Sequence, residues 1–337
     1  MKLGILLINL GTPDSYSVVD VRRFLREFLM DPLVINLPFL RRWMLVNGII
    51  APFRGPKAAK EYQRLWTPQG SPLKVHSEKL LNKLTKKFDE KHQLALAMRY
   101  QNPSVASALK LLREGGCGKL LVVPLFPQYA EATTLSTIKK VTDELVAMNW
   151  QVPCDHIDSF ATDENFINGL VSRTQDVDIL KVDYTVFSYH GLPEQQLKNV
   201  SDNCLTENCC SEITDENKNC YKAQCFATSR AIAEKLNLSD QQYRVCFQSR
   251  QGKMPWIRPY TDDVIKELAK KGYQNLRVFS PAFVADCLET TIEIGETYRD
   301  LFKEFGGNEL HLVPGLNSSD VWVDALESII CNHMERS

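Results

Sequence analysis

Short apolar runs alternate with longer segments of helical period along the whole of this chain, and that alternation constrains its fold to parallel β-sheet with helical crossovers. Eight runs read as strands: residues 3–10, 94–100, 119–126, 152–158, 183–189, 243–248, 275–280 and 309–313. They fall four and four about a helix-period segment near 163–175. The expected class is therefore α/β, with two similar Rossmann-like domains, each a four-stranded parallel sheet flanked by helices. We expect an N-terminal domain over 1–158, with a last helix at 319–333 as a candidate to rejoin it, and a C-terminal domain over 159–318. The 337 residues suffice for two such cores.

No Gly-X-Gly-X-X-Gly follows the first strand, so a dinucleotide site lacks its main support. With 40 basic and 41 acidic residues, no global field draws in nucleic acid. The opening apolar run, Ile5 to Leu10, ends at Gly11-Thr12-Pro13 without a cleavage pattern, and no run reaches the roughly 18 apolar residues of a membrane span. We expect a cytoplasmic protein. Ten cysteines in a reducing compartment argue against a disulfide framework, and half of them lie between Cys204 and Cys225.

Ligands of open parallel sheets bind beyond the carboxyl ends of the strands. The chain delivers Asn9 to Pro13, Arg99-Tyr100 and Pro124 to Tyr129 there from the first half, and Ser188-Tyr189-His190, Gln248-Ser249 and Pro281-Ala282-Phe283 from the second. Aromatics, prolines and single polar groups suit a flat, mostly apolar ligand better than a phosphate. Residues 24–53 are unusually apolar, and Leu40, Trp43, Met44 and Val46 to Ile50 lie beside Arg41 and Arg42. Two readings stand: an amphipathic segment on a bilayer surface or cleft lip, and a core-packed helix pair.

Three groups carry chemistry. His190 leaves the strand end of VDYTVFSYHGLP, residues 182–193, into a turn made by Gly191 and Pro193, where a ring nitrogen can exchange protons or bind metal near neutral pH. Asp286, Glu289, Glu293 and Glu296 recur at spacings of three, four and three, which places them on one face of a helix over about 286–297. That row reads either as a solvated face or as a path for cations and protons; facing His190, it would complete a two-sided proton-transfer site. The insert at 201–225 holds Cys204, Cys209, Cys210, Cys220 and Cys225 in polar sequence. Four thiolates bind a [2Fe-2S] cluster or tetrahedral zinc, and adjacent side chains are expected to diverge, so only one of Cys209 and Cys210 should ligate. The other reading is a chance group of free thiols. His76, His92, His156, His311 and His333 have no constellation and read as structural or exposed.

Phe187 to Pro193, Gln248-Ser249 with Met254-Pro255-Trp256, Pro281 to Thr290, and the N-terminal NLGTP at residues 9–13 together resemble the ferrochelatases across essentially the whole chain. The resemblance implies insertion of Fe(II) into protoporphyrin IX to form protohaem, the terminal step of haem biosynthesis, with release of two protons. It implies that His190 and Glu289 face each other across the porphyrin and hold the substrate iron, with Asp286 and Glu293 continuing inward. It implies porphyrin contacts at Met30, Tyr62, Ser71, Arg99, Tyr129 and Trp256. Tyr129 is followed by Ala130 and Glu131, so the cluster ligand that the animal enzyme takes just after this loop is missing. The 204–225 run instead resembles a bacterial group with an internal [2Fe-2S] cluster close to the histidine. An iron-sulfur redox sensor that binds porphyrin or haem without turnover is the alternative, and a chelatase for another tetrapyrrole or metal shares the fold.

Overall fold

The computed structural model describes residues 2–176, 181–198, 200, 204–205, 208–252 and 254–336. The chain divides into two compact units: Met1–Phe126 with Ala130–Asp158 and Ser318–Ser337, and Pro127–Tyr129 with Ser159–Asn317.

The first unit is built on β1 (Lys2–Gly11), β2 (His92–Tyr100), β3 (Cys117–Pro124) and β4 (Cys154–His156), in the order β2-β1-β3-β4. The second is built on β5 (Tyr184–His190), β6 (Tyr243–Gln248), β7 (Asn275–Phe279) and β8 (Glu309–Leu312), in the order β6-β5-β7-β8. Every ladder pair is parallel. The two sheets thus repeat one topology, with the first strand of each half in the interior. β4 covers three residues rather than the seven of its apolar run, because it is an edge strand paired only with β3.

Helices on both faces of a parallel sheet leave no polar side, so β1 buries Ile5, Leu6, Leu7 and Ile8 consecutively. Leu6 and Ile8 pack with Leu109, Leu112, Leu120 and Val122. In the second unit Val186, Leu276 and Val278 meet Val264, Leu268, Ile294 and Phe302. The last helix, Asp320–Arg336, belongs to the first unit and buries Trp322 completely. Its acids lie on a solvated face, where Asp320 pairs with Lys83 at 2.7 Å, and Asp324 and Glu327 with Lys87 at 2.6 and 3.3 Å.

The apolar segment forms the helix Phe39–Trp43, a π-helix Met44–Ile50 and the helix Ala51–Leu65. Phe39, Leu40, Trp43, Met44, Ile49 and Phe53 are exposed, Phe53 to 76%. Val46 and Ala51 are fully buried, so the segment packs one side on the core and leaves apolar side chains exposed on the other. The two arginines do not share the surface. Arg42 is buried and donates from Nη1 to the carbonyls of Ile35 and Leu37, whereas Arg41 is exposed. Partly buried carbonyls of the preceding loop thus gain a charged donor in Arg42.

Candidate active site and cysteine loop

His190 is the last residue of β5 and pairs in register with Gln248 of β6. Its Nδ1 lies 2.7 Å from the carbonyl oxygen of Gly191. A carbonyl only accepts, so the hydrogen-bond network places the proton on Nδ1 and leaves the Nε2 lone pair as the basic position. The backbone is fixed as tightly as the ring: the Gly191 N–H donates to Gln248 O at 2.8 Å, and Tyr221 Oη donates to His190 O at 2.9 Å. A Cβ on Gly191 would sit 2.7 Å from Gln248 O and 3.1 Å from the Trp256 ring, so this close approach requires glycine. The rings of Trp256 and Phe283 flank the imidazole at 6.3 and 6.4 Å.

Gln248 ties this strand end to the acids. Its Oε1 accepts from Ser188 Oγ at 2.7 Å, and its Nε2 donates to Glu289 O at 2.9 Å and to Glu293 Oε2 at 3.3 Å. Ser249, with φ +65°, donates its N–H and hydroxyl to Glu293 at 3.0 and 2.5 Å, and Tyr298 Oη donates at 2.7 Å. Burial, and then the Glu293 charge, drives the Tyr298 phenol well above its ordinary range. Glu289 lies by Cys287, whose thiol is pushed up by burial and then by that carboxylate.

The acids do not share one α-helical face over 286–297. The segment winds as a π-helix, Leu288–Tyr298, and Asp286 precedes it. A π-helix bonds i to i+5, so spacings of three and four no longer stack side chains in one row. Asp286 instead accepts from Asn317 Nδ2 at 2.6 Å, Gly315 N at 3.1 Å and Thr290 Oγ1 at 3.1 Å. Asp286 and Glu293 therefore sit in separate hydrogen-bond nests, and Glu296 is half-buried.

Of the insert at 201–225, residues 201–203 and 206–207 lie outside the described residues. Cys209 and Cys210 do not diverge: they occupy a turn, which lets adjacent side chains converge, and their sulfurs are 3.5 Å apart. Cys210 and Cys204 both hydrogen-bond toward Cys220. That bonding, chiefly from Cys210, brings the Cys220 thiol down to about 6 against the opposing effect of burial. The N–H groups of Ala223 and Lys222 at the start of the Tyr221–Lys235 helix also favour the anion, although none closes a cap bond of normal geometry. Burial and the Cys220 charge push Cys204 up to about 11. Asn217 Nδ2 and Arg230 Nη1 each donate at 3.2 Å to the backbone of this turn, at Cys209 O and Cys210 O. Cys225 is set apart, fully buried in the helix and hydrogen-bonded with Tyr221. Among the described residues no group of three or more His, Cys, Asp or Glu side chains is arranged around a single metal-ion position. The donor set itself, four adjacent soft thiols of which one is readily ionised, fits an iron-sulfur group.

Tyr129, in the second unit, is half-buried and donates its N–H to Gln224 Oε1 at 2.7 Å. In the first unit, Met30 caps the Val18–Leu29 helix, and Tyr62 packs edge-on against Phe24 and Trp66. Ser71 is only 2% exposed, and its hydroxyl accepts from Thr12 Oγ1 at 2.9 Å. Arg99 donates to Asp31 at 2.5 Å and to Ser136 Oγ at 2.7 Å. Ser71 and the bonded edge of Arg99 therefore brace the unit from inside. Of the single histidines, His92 faces Asp89 at 2.7 Å, His156 faces Asp158 at 3.3 Å and His333 faces Asp155 at 2.9 Å.

Sequence reasoning missed Tyr221, Gln224 and Tyr298. Nothing marks Tyr221 except that it follows a cysteine. Tyr298 was findable as the residue five after Glu293, within reach only once the helix is known to be of the π type.

A family model described as Ferrochelatase matches residues 2–334. A ferrochelatase of Coxiella burnetii (strain Dugway 5J108-111) is 47% identical over 329 residues, covering 96% of this chain and 92% of that protein. One of Bdellovibrio bacteriovorus (strain ATCC 15356 / DSM 50701 / NCIMB 9529 / HD100) is 41% identical over 330 residues, covering 98% of each. Among solved structures, SirB from Bacillus subtilis with Fe3+ superposes with a TM-score of 0.55 at 12% identity, covering 98% of this chain and 95% of that one. The sirohydrochlorin chelatase SirB from Bacillus subtilis subspecies spizizenii, in complex with cobalt, gives 0.53 at 10%, covering 96% and 92%. These two likenesses concern the fold.

Proposed function

The chain belongs to the ferrochelatase family and inserts iron into a porphyrin, and on that premise we propose that His190 is the base and Glu289 the partner acid of the insertion, with protoporphyrin IX as the macrocycle. Fe(II) enters only after two pyrrole N–H protons leave, and a flat macrocycle keeps its nitrogen lone pairs in the ring plane. Holding the porphyrin bent exposes them, and contacts to its periphery supply the distortion energy. Tyr129 and Trp256, with Met30, Tyr62, Ser71 and Arg99 as first-unit contributors, are our candidates for that periphery; the burial of Ser71 gives it a bracing part rather than a direct one.

The observation that carries the reading is the Nδ1 bond to Gly191 O. It orients Nε2, the one nitrogen able to take a pyrrole proton, in a ring whose strand, turn and carbonyl are all restrained. The Glu289 carboxylate then accepts the second proton, and it also helps to strip water from Fe(II). Glu293 is held by four donors, so it acts as a fixed negative charge that draws the cation inward rather than as a mobile ligand. Asp286 performs the same part from its own nest. Anaerobic assay with protoporphyrin IX and Fe(II) tests this: His190→Ala should lose about 10²–10⁴-fold in kcat. Near-normal turnover in a folded variant would remove His190 from the chemistry.

Cys204, Cys209, Cys210 and Cys220 are our candidate ligands for a [2Fe-2S] cluster, with Cys225 outside the set. When bound, such a group supplies one-electron redox chemistry and a rigid crosslink of the loop. The exposed apolar side chains from Phe39 to Phe53 suit a cytoplasmic protein resting on a bilayer surface, and no helix among the described residues is long and apolar enough to cross one. Co-sedimentation with anionic vesicles that persists in Phe53→Ser, Phe39→Ser would refute that contact.

A further inference from the structure

We infer that Tyr221 is a positioning residue that transmits the state of the cysteine site to His190, an inference that rests on the proposed role of His190 as base. Cys220 and Tyr221 are consecutive. Cys220 stands at the N-terminus of the Tyr221–Lys235 helix with its sulfur among those of Cys204 and Cys210, and Tyr221 opens the helix with its phenol buried. That phenol donates to the carbonyl oxygen of His190 at 2.9 Å. Any displacement of the Cys220 backbone therefore reaches the peptide plane that leads into Gly191, whose own carbonyl holds His190 Nδ1. The path runs over one peptide bond, one rigid aromatic ring and two hydrogen bonds.

The rest of the helix is anchored, which confines the motion to its first turn. Ser229 Oγ shares a 2.8 Å hydrogen bond with Tyr189 Oη, and Thr228 donates to Ala161 O at 2.7 Å. Gln224 makes a second link of the same kind: Nε2 donates to Lys218 O in the cysteine loop at 2.5 Å, while Oε1 accepts from Tyr129 N. Histidine and loop thus hang from one helical turn. The sign of the coupling follows: a fixed Cys220 holds the imidazole still, and a loosened one frees it to leave the productive orientation.

The test uses the full chain with its thiols reduced. Histidine ring 15N NMR reads the imidazole directly, His190 being assigned by the loss of its signals in His190→Ala. Cys220→Ser should shift the His190 resonances, and Tyr221→Phe, which keeps the ring and removes the hydroxyl, should shift them too and abolish their response to Cys220→Ser. In kinetics Tyr221→Phe should lower kcat roughly two- to tenfold with the porphyrin KM unchanged, and the two changes should be strongly non-additive. Tyr184→Phe, which removes a hydroxyl bonded to Tyr243 O at the opposite end of β5, controls for the loss of a phenol away from the lever. Unmoved His190 signals in Cys220→Ser, or a response that survives in Tyr221→Phe, would overturn the lever. The visible spectrum of anaerobically purified protein tests the cluster separately, and His190→Ala turnover tests the base.

Discussion

Ser249 donates both its backbone N–H and its hydroxyl to the carboxylate of Glu293, at 3.0 and 2.5 Å, from a backbone with φ at +65°. A non-glycine residue takes that conformation at a cost, and here the cost is offset by two charge-assisted hydrogen bonds. Ser249→Ala keeps the conformation and removes the hydroxyl donor, so it should destabilise by about 1.5–3 kcal/mol. Ser249→Gly relieves the backbone and should recover part of this. Urea unfolding of the wild type and both variants checks the order, wild type above Ser249→Gly above Ser249→Ala; Ser249→Gly rising above the wild type would show that the left-handed strain outweighs the hydroxyl bond.

Gly191→Ala places a methyl group 2.7 Å from Gln248 O. Backbone must move, and the His190 turn moves with it. We expect a folded variant, with kcat reduced at least about tenfold by a displacement below 1 Å at the imidazole. Steady-state kinetics alongside circular dichroism separates that loss from unfolding.

Asp183 joins the starts of β5 and β7 by accepting from Gln274 N, Asn275 N and Asn275 Nδ2 at 3.0, 2.8 and 3.2 Å. Burial acts to raise its pKa, but these bonds and Lys181 outweigh it and hold the carboxyl below its ordinary value. A depressed acid contributes stability that is present above the unfolded pKa of about 3.9 and lost as pH falls through the folded value. The melting temperature of Asp183→Asn should thus lie below that of the wild type at pH 7, with the gap closing below about pH 4. A gap independent of pH would assign the effect to shape alone.

Cys225 is enclosed in its helix, and the remaining four thiols converge. Cys225→Ala should therefore retain the visible absorption of anaerobically purified protein, whereas Cys220→Ser should lose it. The reverse pattern would move the ligand set by one helical turn.

The eight apolar runs foretold the eight strands found among the described residues, because burial on both faces of a parallel sheet writes itself as uninterrupted hydrophobicity, as in Ile5 to Ile8. The place of His190 was legible for a related reason: the apolar run stops at Gly191 and Pro193, and β5 ends on the histidine just before them. What escaped were features that depend on winding and contact. The acids at 286, 289, 293 and 296 have α-helical spacing, yet the chain there takes five-residue closure, and no periodicity separates the two. Cys209 and Cys210 would diverge in a strand and converge in a turn, and polar sequence does not choose between them. Arg42 differs from Arg41 only in the carbonyls that surround it.

β5 lies inside its sheet, flanked by β6 and β7, while the partner strand β6 forms the edge. Amide hydrogens of an interior strand exchange with solvent only through large-scale opening, whereas edges and loops open locally at little cost. The imidazole is therefore mounted on the part of the second unit that thermal agitation disturbs last. If His190 is the base, as proposed, warming should disturb edge strands and loops well before it blurs the aim of the imidazole, so activity should fade first through weakened porphyrin binding and only afterwards through loss of the proton acceptor.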